Sequence, residues 1–124
     1  MKIIVDAMGG DNAPQAPVMG AVQANKEYGV DITLVGRGEE ILKVLEDNGI
    51  KNLPAGIEIA HASEVVEMCD NPATAFREKK DSSLTVGLNL LKSGAGDAFV
   101  SAGSTGALLS GATLVVKRIR GIRR

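Results

Sequence analysis

The sequence predicts a three-layer α/β/α fold built on a mostly parallel sheet. Strand-like and helix-like segments alternate along the whole chain, and the connections between them are short. The opening segment, Lys2 to Asp6, is a nearly continuous apolar run, the pattern of a parallel strand covered on both faces. With 124 residues, 44% of them hydrophobic and 23% charged, the chain can bury one core. No repeat, low-complexity segment or linker divides it, so residues 1–124 read as one unit.

After the Gly9–Gly10 turn, "APVMGAVQANKEYG" carries Val18, Ala21, Val22 and Asn25 at helical spacing. Pro14 or Pro17 suits the first turn of that helix and Gly29 its C′ position. "DITLVG" (31–36) is the second strand. "EEILKVLEDNG" (39–49) is a short helix with Ile41, Leu42 and Leu45 expected inward and acidic residues at its start. "GIEIAHA" (56–62) is the third strand. "NPATAFREKK" (71–80) is expected to begin a helix, with Asn71 as cap and Pro72 at N1. The next helix, 82–94, places Leu84, Leu88 and Leu91 on one face and is capped by Ser82 or Ser83. "DAFVSAG" (97–103) is the fourth strand, and 105–118 the helix after it. The end, "VVKRIRGIRR", places five basic residues in the last eight with no terminating element, as expected of a chain that continues.

Composition excludes several functions. Fourteen Lys and Arg against fifteen Asp and Glu give a formal net charge of −1, a poor basis for binding nucleic acid. No apolar run approaches the roughly 18 residues of a membrane span, and the amino terminus lacks a signal-peptide core. A cytoplasmic protein is expected. The single cysteine, Cys69, excludes an internal disulfide or a thiolate cluster within this chain. It is expected to be a small buried hydrophobe rather than a nucleophile. Aromatic residues are 2% of the chain, whereas glycines number 15, many of them between strands and helices. That distribution points to backbone rather than large side chains as the ligand contact.

Ligands of open parallel sheets sit beyond the carboxyl ends of the strands. Two glycine-rich loops fall there: "DAMGGDNAP" (6–14) and "SAGSTGAL" (101–108). In the second, Gly103 and Gly106 permit a tight turn and Ser104 or Thr105 can cap the following helix. Its first-turn N–H groups lack internal acceptors and offer a seat for phosphate, with Ser101, Ser104 and Thr105 as further donors. The plainer reading is a structural corner. In the first loop, Gly9 and Gly10 can form a nest, while Asp6 and Asp11 either brace the loop, orient a cation or hold magnesium. "REKKDSS" (77–83) is a solvated face with a helix cap, or else it brings Lys79 or Lys80 and the donors Ser82 and Ser83 to the phosphate rim. His61, at a strand end, can reach the ligand edge. No G-x-x-x-x-G-K-[ST], H-E-x-x-H or G-x-S-x-G occurs, and "GRGEEI" lacks the third glycine of a dinucleotide fingerprint.

Together these stretches resemble the amino-terminal part of the PlsX family, bacterial acyl-acyl-carrier-protein:phosphate acyltransferases of phospholipid synthesis. The family's "DAMGGD-x-AP" is matched by Asp6 to Pro14, and its Lys-Asp-Ser-Ser stretch by Lys80 to Ser83. Its "D-A-x-V-S-A-G-N-T-G-A-L" is matched by Asp97 to Leu108, with Ser104 where asparagine is usual. The resemblance covers the whole chain in order. It implies a fold similar to the isocitrate and isopropylmalate dehydrogenases, of which this chain is the amino-terminal portion of a larger two-lobed enzyme, inactive alone. It further implies acyl transfer from acyl carrier protein to inorganic phosphate and a homodimer; no cofactor is expected and no residue is assigned as a metal ligand. A cytoplasmic enzyme, peripheral at the inner face of the membrane, is the matching location. In that setting Ser101 to Gly106 seat phosphate, Lys79 or Lys80 compensates charge, Gly9 and Gly10 shape the floor, and Asp6 and Asp11 hold it. A phosphotransacetylase-like enzyme acting on acyl-CoA, and a non-catalytic anion-binding module, are the alternatives.

Overall fold

The computed structural model describes residues 1–123. Four strands, β1 (Lys2–Asp6), β2 (Asp31–Gly36), β3 (Ile57–His61) and β4 (Ala98–Val100), form one sheet in the order β3-β2-β1-β4. All three pairings are parallel, with Ile4 opposite Thr33 and Phe99, and Leu34 opposite Ile59. Helices α1 (Gln15–Tyr28) and α2 (Gly38–Asp47) cover one face, burying Val18, Ala21, Ile41 and Leu45 against Ile32, Leu34 and Ile57. Helices α3 (Ala75–Glu78), α4 (Ser83–Lys92) and α5 (Thr105–Gly111) lie on the other. There Leu84, Leu88 and Ala107 form one cluster, and Ile4, Val35 and Ala62 another. The three layers and the parallel sheet are those the alternating pattern predicts.

The order has a functional consequence. The chain winds outward from β1 to β2 and β3, then crosses back to place β4 on the other side of β1. The direction of winding therefore reverses between β1 and β4, and in open α/β sheets the ligand crevice lies outside the carboxyl ends of the strands at that reversal.

Several element boundaries differ from expectation for local reasons. In α2 the inward set is Ile41, Val44 and Leu45, whereas Leu42 is 52% exposed, because the buried stripe follows i, i+3, i+4. Pro14 occupies the N-cap position of α1, and Gly29 caps its end in the left-handed conformation (φ 66°). The helix expected from Asn71 begins only at Ala75. Asn71 Oδ1 accepts from the Ala73 N–H at 3.0 Å, so it closes a local Asx turn instead. β4 ends at Val100, three residues earlier than expected, as the chain turns toward β1. The last helix also changes character: α5 stops at Gly111 and Ala112–Val116 continues as π-helix, where Thr113 Oγ1 donates to the Leu109 carbonyl at 2.7 Å. Cys69 is exposed rather than buried, because it lies on an irregular segment outside the three core clusters.

Candidate anion site at the reversal of the sheet

Both glycine-rich loops lie at the carboxyl ends of β1 and β4, side by side, as the parallel sheet requires. They are joined by a buried relay. Asp6, 4% exposed, accepts through Oδ1 from the Met8 N–H at 3.0 Å and through Oδ2 from the Ser101 hydroxyl at 2.8 Å. Ser101 Oγ in turn accepts from the Gly103 N–H at 3.1 Å. Gly9 is packed inside this relay: a Cβ there would lie 2.7 Å from Asp6 Oδ2, 2.9 Å from the Gly103 nitrogen and 3.0 Å from Ser101 Oγ. Gly10 follows with φ +105°, a conformation glycine adopts without penalty. Asp6 therefore braces, as one of its sequence readings had it, and it does so across the two loops.

The relay decides which donors remain. Ser101 and the Gly103 N–H are committed to it. Ser104 caps α5, its Oγ accepting from the Ala107 N–H at 3.3 Å, so serine performs the capping expected here. The backbone N–H groups of Ser104, Thr105 and Gly106 have no acceptor among the described residues. Gly106 sits close over Pro72, whose Cβ would be 2.8 Å from an added side chain. Of the two adjacent serines, Ser82 is the cap of α4, accepting from the Thr85 N–H at 3.1 Å and donating to Thr85 Oγ1. Ser83 is different. It is 2% exposed, its hydroxyl bonds no other described residue, and it lines a crevice with Asp6, Gly9, Ser101 and Ser104.

That crevice has about 10 Å³ of free volume, room for a single water. It shares Met8, Val65, Val66, Gly103 and Ser104 with a groove of about 200 Å³. Asp11 and Glu67 line the same groove, so attraction for an anion there comes from the N–H groups of the corner rather than from its side chains.

Of the remaining sequence candidates, Thr105 brings its backbone N–H to the corner, whereas Lys79, Lys80 and His61 do not line it. Lys79 Nζ donates to the Val65 carbonyl at 2.7 Å and to Asp70 Oδ2 at 2.8 Å. The Asp70 hydrogen bond holds the Lys79 amine above its usual pKa, and the same bond holds the Asp70 carboxyl below its own. Lys80 is exposed, as is Thr105. His61 ends β3, the far edge strand, where Nδ1 accepts from the Gly38 N–H at 3.2 Å. It lines a separate hollow with Arg37, Glu40 and Ser63. Nearby, the hydroxyl and N–H of Ser63 hold the Asp81 carboxyl below its usual range. Among the described residues no three His, Cys, Asp or Glu side chains converge as metal ligands would, and no helix is long and apolar enough to cross a membrane.

Sequence reasoning missed the segment from Glu64 to Asp70, which forms the outer wall of the crevice through Val65 and Val66. Its only advance signal is that apolar pair between two glutamates.

The chain is 51% identical to the phosphate acyltransferase of Dictyoglomus turgidum, 49% to that of Clostridioides difficile and 51% to that of Magnetococcus marinus. Each match takes in the whole of this chain but 35–36% of the relative, so the chain spans about a third of the length of these proteins. A model of the fatty acid synthesis protein family matches residues 1–124, and the chain belongs to that family.

Proposed function

We propose that this chain supplies the phosphate-seating part of a two-lobed phosphate acyltransferase that moves a long-chain acyl group from acyl carrier protein to inorganic phosphate. The observation that carries the reading is the meeting of the two glycine-rich loops at the β1/β4 reversal, where the relay leaves a cluster of unpartnered donors. The relatives' shared name, phosphate acyltransferase, supports the reaction class.

Phosphate is already a nucleophile at neutral pH, so no activated side chain is required. A phosphate oxygen attacks the thioester carbonyl carbon. The new C–O bond forms, the C–S bond breaks with its electron pair on sulfur, and the thiolate takes up a proton. The protein must hold the anion in line and stabilise its charge next to the thioester. The N–H groups of Ser104, Thr105 and Gly106, with the hydroxyls of Ser83 and Ser104, do this. Asp6, Gly9, Gly10, Ser101 and Gly103 shape the floor. The crevice must widen from one water to one phosphate, which places the anion at its mouth on the groove side. Acyl carrier protein, a cytoplasmic partner, brings the thioester to that side, and the enzyme works as a homodimer peripheral to the inner membrane face.

Initial rates of the intact protein with acyl carrier protein thioesters and with CoA thioesters, each against phosphate concentration, test the reading. Faster phosphate-dependent turnover with the carrier protein is expected. Preference for CoA would assign a phosphotransacetylase-like reaction instead, and no phosphate-dependent acyl transfer in folded protein would leave an anion-binding module.

Ser83→Ala is expected to raise the KM for phosphate by about tenfold or more, the worth of one hydrogen bond to a charged group at roughly 1.5–3 kcal/mol. The melting temperature should not fall, since the lost hydroxyl has no partner in the unliganded chain. An unchanged KM would remove Ser83 from the seat.

A further inference from the structure

We propose that Lys79 is a positioning residue, which clamps residues 64–70 as the outer wall of the anion corner through Asp70 and the Val65 carbonyl. The proposal rests on the reading of that corner as a phosphate seat, and it gives the cation a different task from meeting the anion.

The segment is anchored at both ends independently of Lys79. At its start the Glu64 N–H donates to the Asp81 carbonyl at 3.0 Å and the Ser83 N–H donates to the Glu64 carbonyl at 3.1 Å, a short parallel bridge beside Ser82. Just beyond its end Asn71 closes the turn that leads into α3. Between these anchors the backbone is irregular. Asp70 Oδ2 accepts from the Glu67 N–H at 2.7 Å, which folds the segment on itself. The same oxygen takes the Lys79 ammonium at 2.8 Å, and the Val65 carbonyl takes it at 2.7 Å. One cation thus joins the two ends of the free span to α3. Both side chains of the pair are largely covered, 29% exposed for Lys79 and 22% for Asp70, so water competes less than at an open surface pair.

What the clamp holds in place is the wall itself. Val65 and Val66 line the crevice together with Ser83 and Ser104. Without the clamp, the wall can swing away, water enters, and the donors of the corner face a wider, more solvated opening. Charge-assisted contacts to the anion weaken in that setting.

The test compares Lys79→Met, Asp70→Ala, the double variant and Lys79→Arg in the intact protein. Two readouts are taken: the phosphate dependence of turnover, and cleavage after Glu67, an exposed residue of the wall, by a glutamate-specific protease. A positioning role predicts that Lys79→Met and Asp70→Ala each raise the phosphate KM about tenfold, the size of one lost charge-assisted bond. The double variant should fall short of the sum of the two single losses, because both break the Lys79–Asp70 link while each also loses one contact of its own, to the Val65 carbonyl or the Glu67 N–H. Lys79→Arg should recover most of the loss, and cleavage should accelerate in the same variants that lose phosphate affinity. If Asp70→Ala leaves or lowers the phosphate KM while Lys79→Met raises it, the ammonium meets phosphate directly and the proposal is wrong. Wild-type KM and cleavage in every variant would also overturn it. Turnover independent of phosphate in the wild type would defeat the functional reading alone. Cleavage at Glu67 would then still decide the clamp, faster in Lys79→Met and Asp70→Ala supporting it and unchanged rates overturning it.

Discussion

Replacing Gly9 by alanine is expected to destabilise the protein and to remove phosphate-dependent turnover together. The added methyl would stand 2.7 Å from Asp6 Oδ2, a side-chain oxygen of a carboxylate held by two hydrogen bonds, and 2.9 Å from the Gly103 backbone nitrogen, which cannot rotate away. The loops must separate, and the Ser101–Asp6 bond lengthens or breaks. Overpacking of this kind typically costs 1–3 kcal/mol, and a buried hydrogen bond lost with it brings the total to about 3 kcal/mol. The rate should fall by about a hundredfold, because the N–H groups of Ser104 to Gly106 lose their common aim. Thermal unfolding and initial rates against phosphate, measured side by side, check both parts. A variant with wild-type stability and turnover would mean that the loops do not meet as described.

Asp6→Ala is expected to have the second largest effect. The aspartate lies at 4% exposure and accepts two hydrogen bonds, so its removal leaves the Met8 N–H and the Ser101 hydroxyl buried without partners. Each such group costs about 1–3 kcal/mol, and a loss near 3 kcal/mol overall is expected. Asp6→Asn should be milder, since an amide oxygen can still accept from Met8. The distinctive outcome lies in combination with Ser101→Ala. Because one bond joins the two side chains, the double variant should fall short of the sum of the single losses by about 1 kcal/mol. Strict additivity in urea unfolding would show that Asp6 and Ser101 act separately.

The fold was legible because its signals are local. Short β-prone runs such as Ile32 to Val35 and helical stripes such as Leu84 and Leu88 announce strand and helix within a few residues. A parallel sheet then puts every strand-to-helix loop at one edge, so the nearness of residues 6–11 and 101–106 followed without coordinates. The reversal between β1 and β4 did not, since strand order depends on which neighbours pair rather than on any one segment.

The site was legible in its loops and less so in its side chains. The loop pattern offers Ser101 as a ligand donor, but its hydroxyl donates to Asp6, 95 residues away, a contact no periodicity foretells. Ser82 and Ser83 are indistinguishable in the sequence, yet the helix start falls between them and leaves one as cap and the other facing the crevice. The run "REKKDSS" reads either as a solvated face or as bringing Lys79 or Lys80 to a phosphate rim, and nothing local to it shows what Lys79 bonds. Its actual partner, Asp70, lies in an irregular stretch that carries neither helix nor strand pattern. The same irregularity explains Cys69, whose exposure could not be inferred from a stripe that does not exist.

The most direct test of the phosphate seat is a titration of the isotopically labelled protein with inorganic phosphate, following the backbone amide resonances. Saturable shifts centred on Ser104, Thr105 and Gly106, with smaller ones at Ser83 and Val66, are the expected result. Saturable shifts elsewhere, such as around His61 and Arg37, with those three amides unmoved, would contradict it.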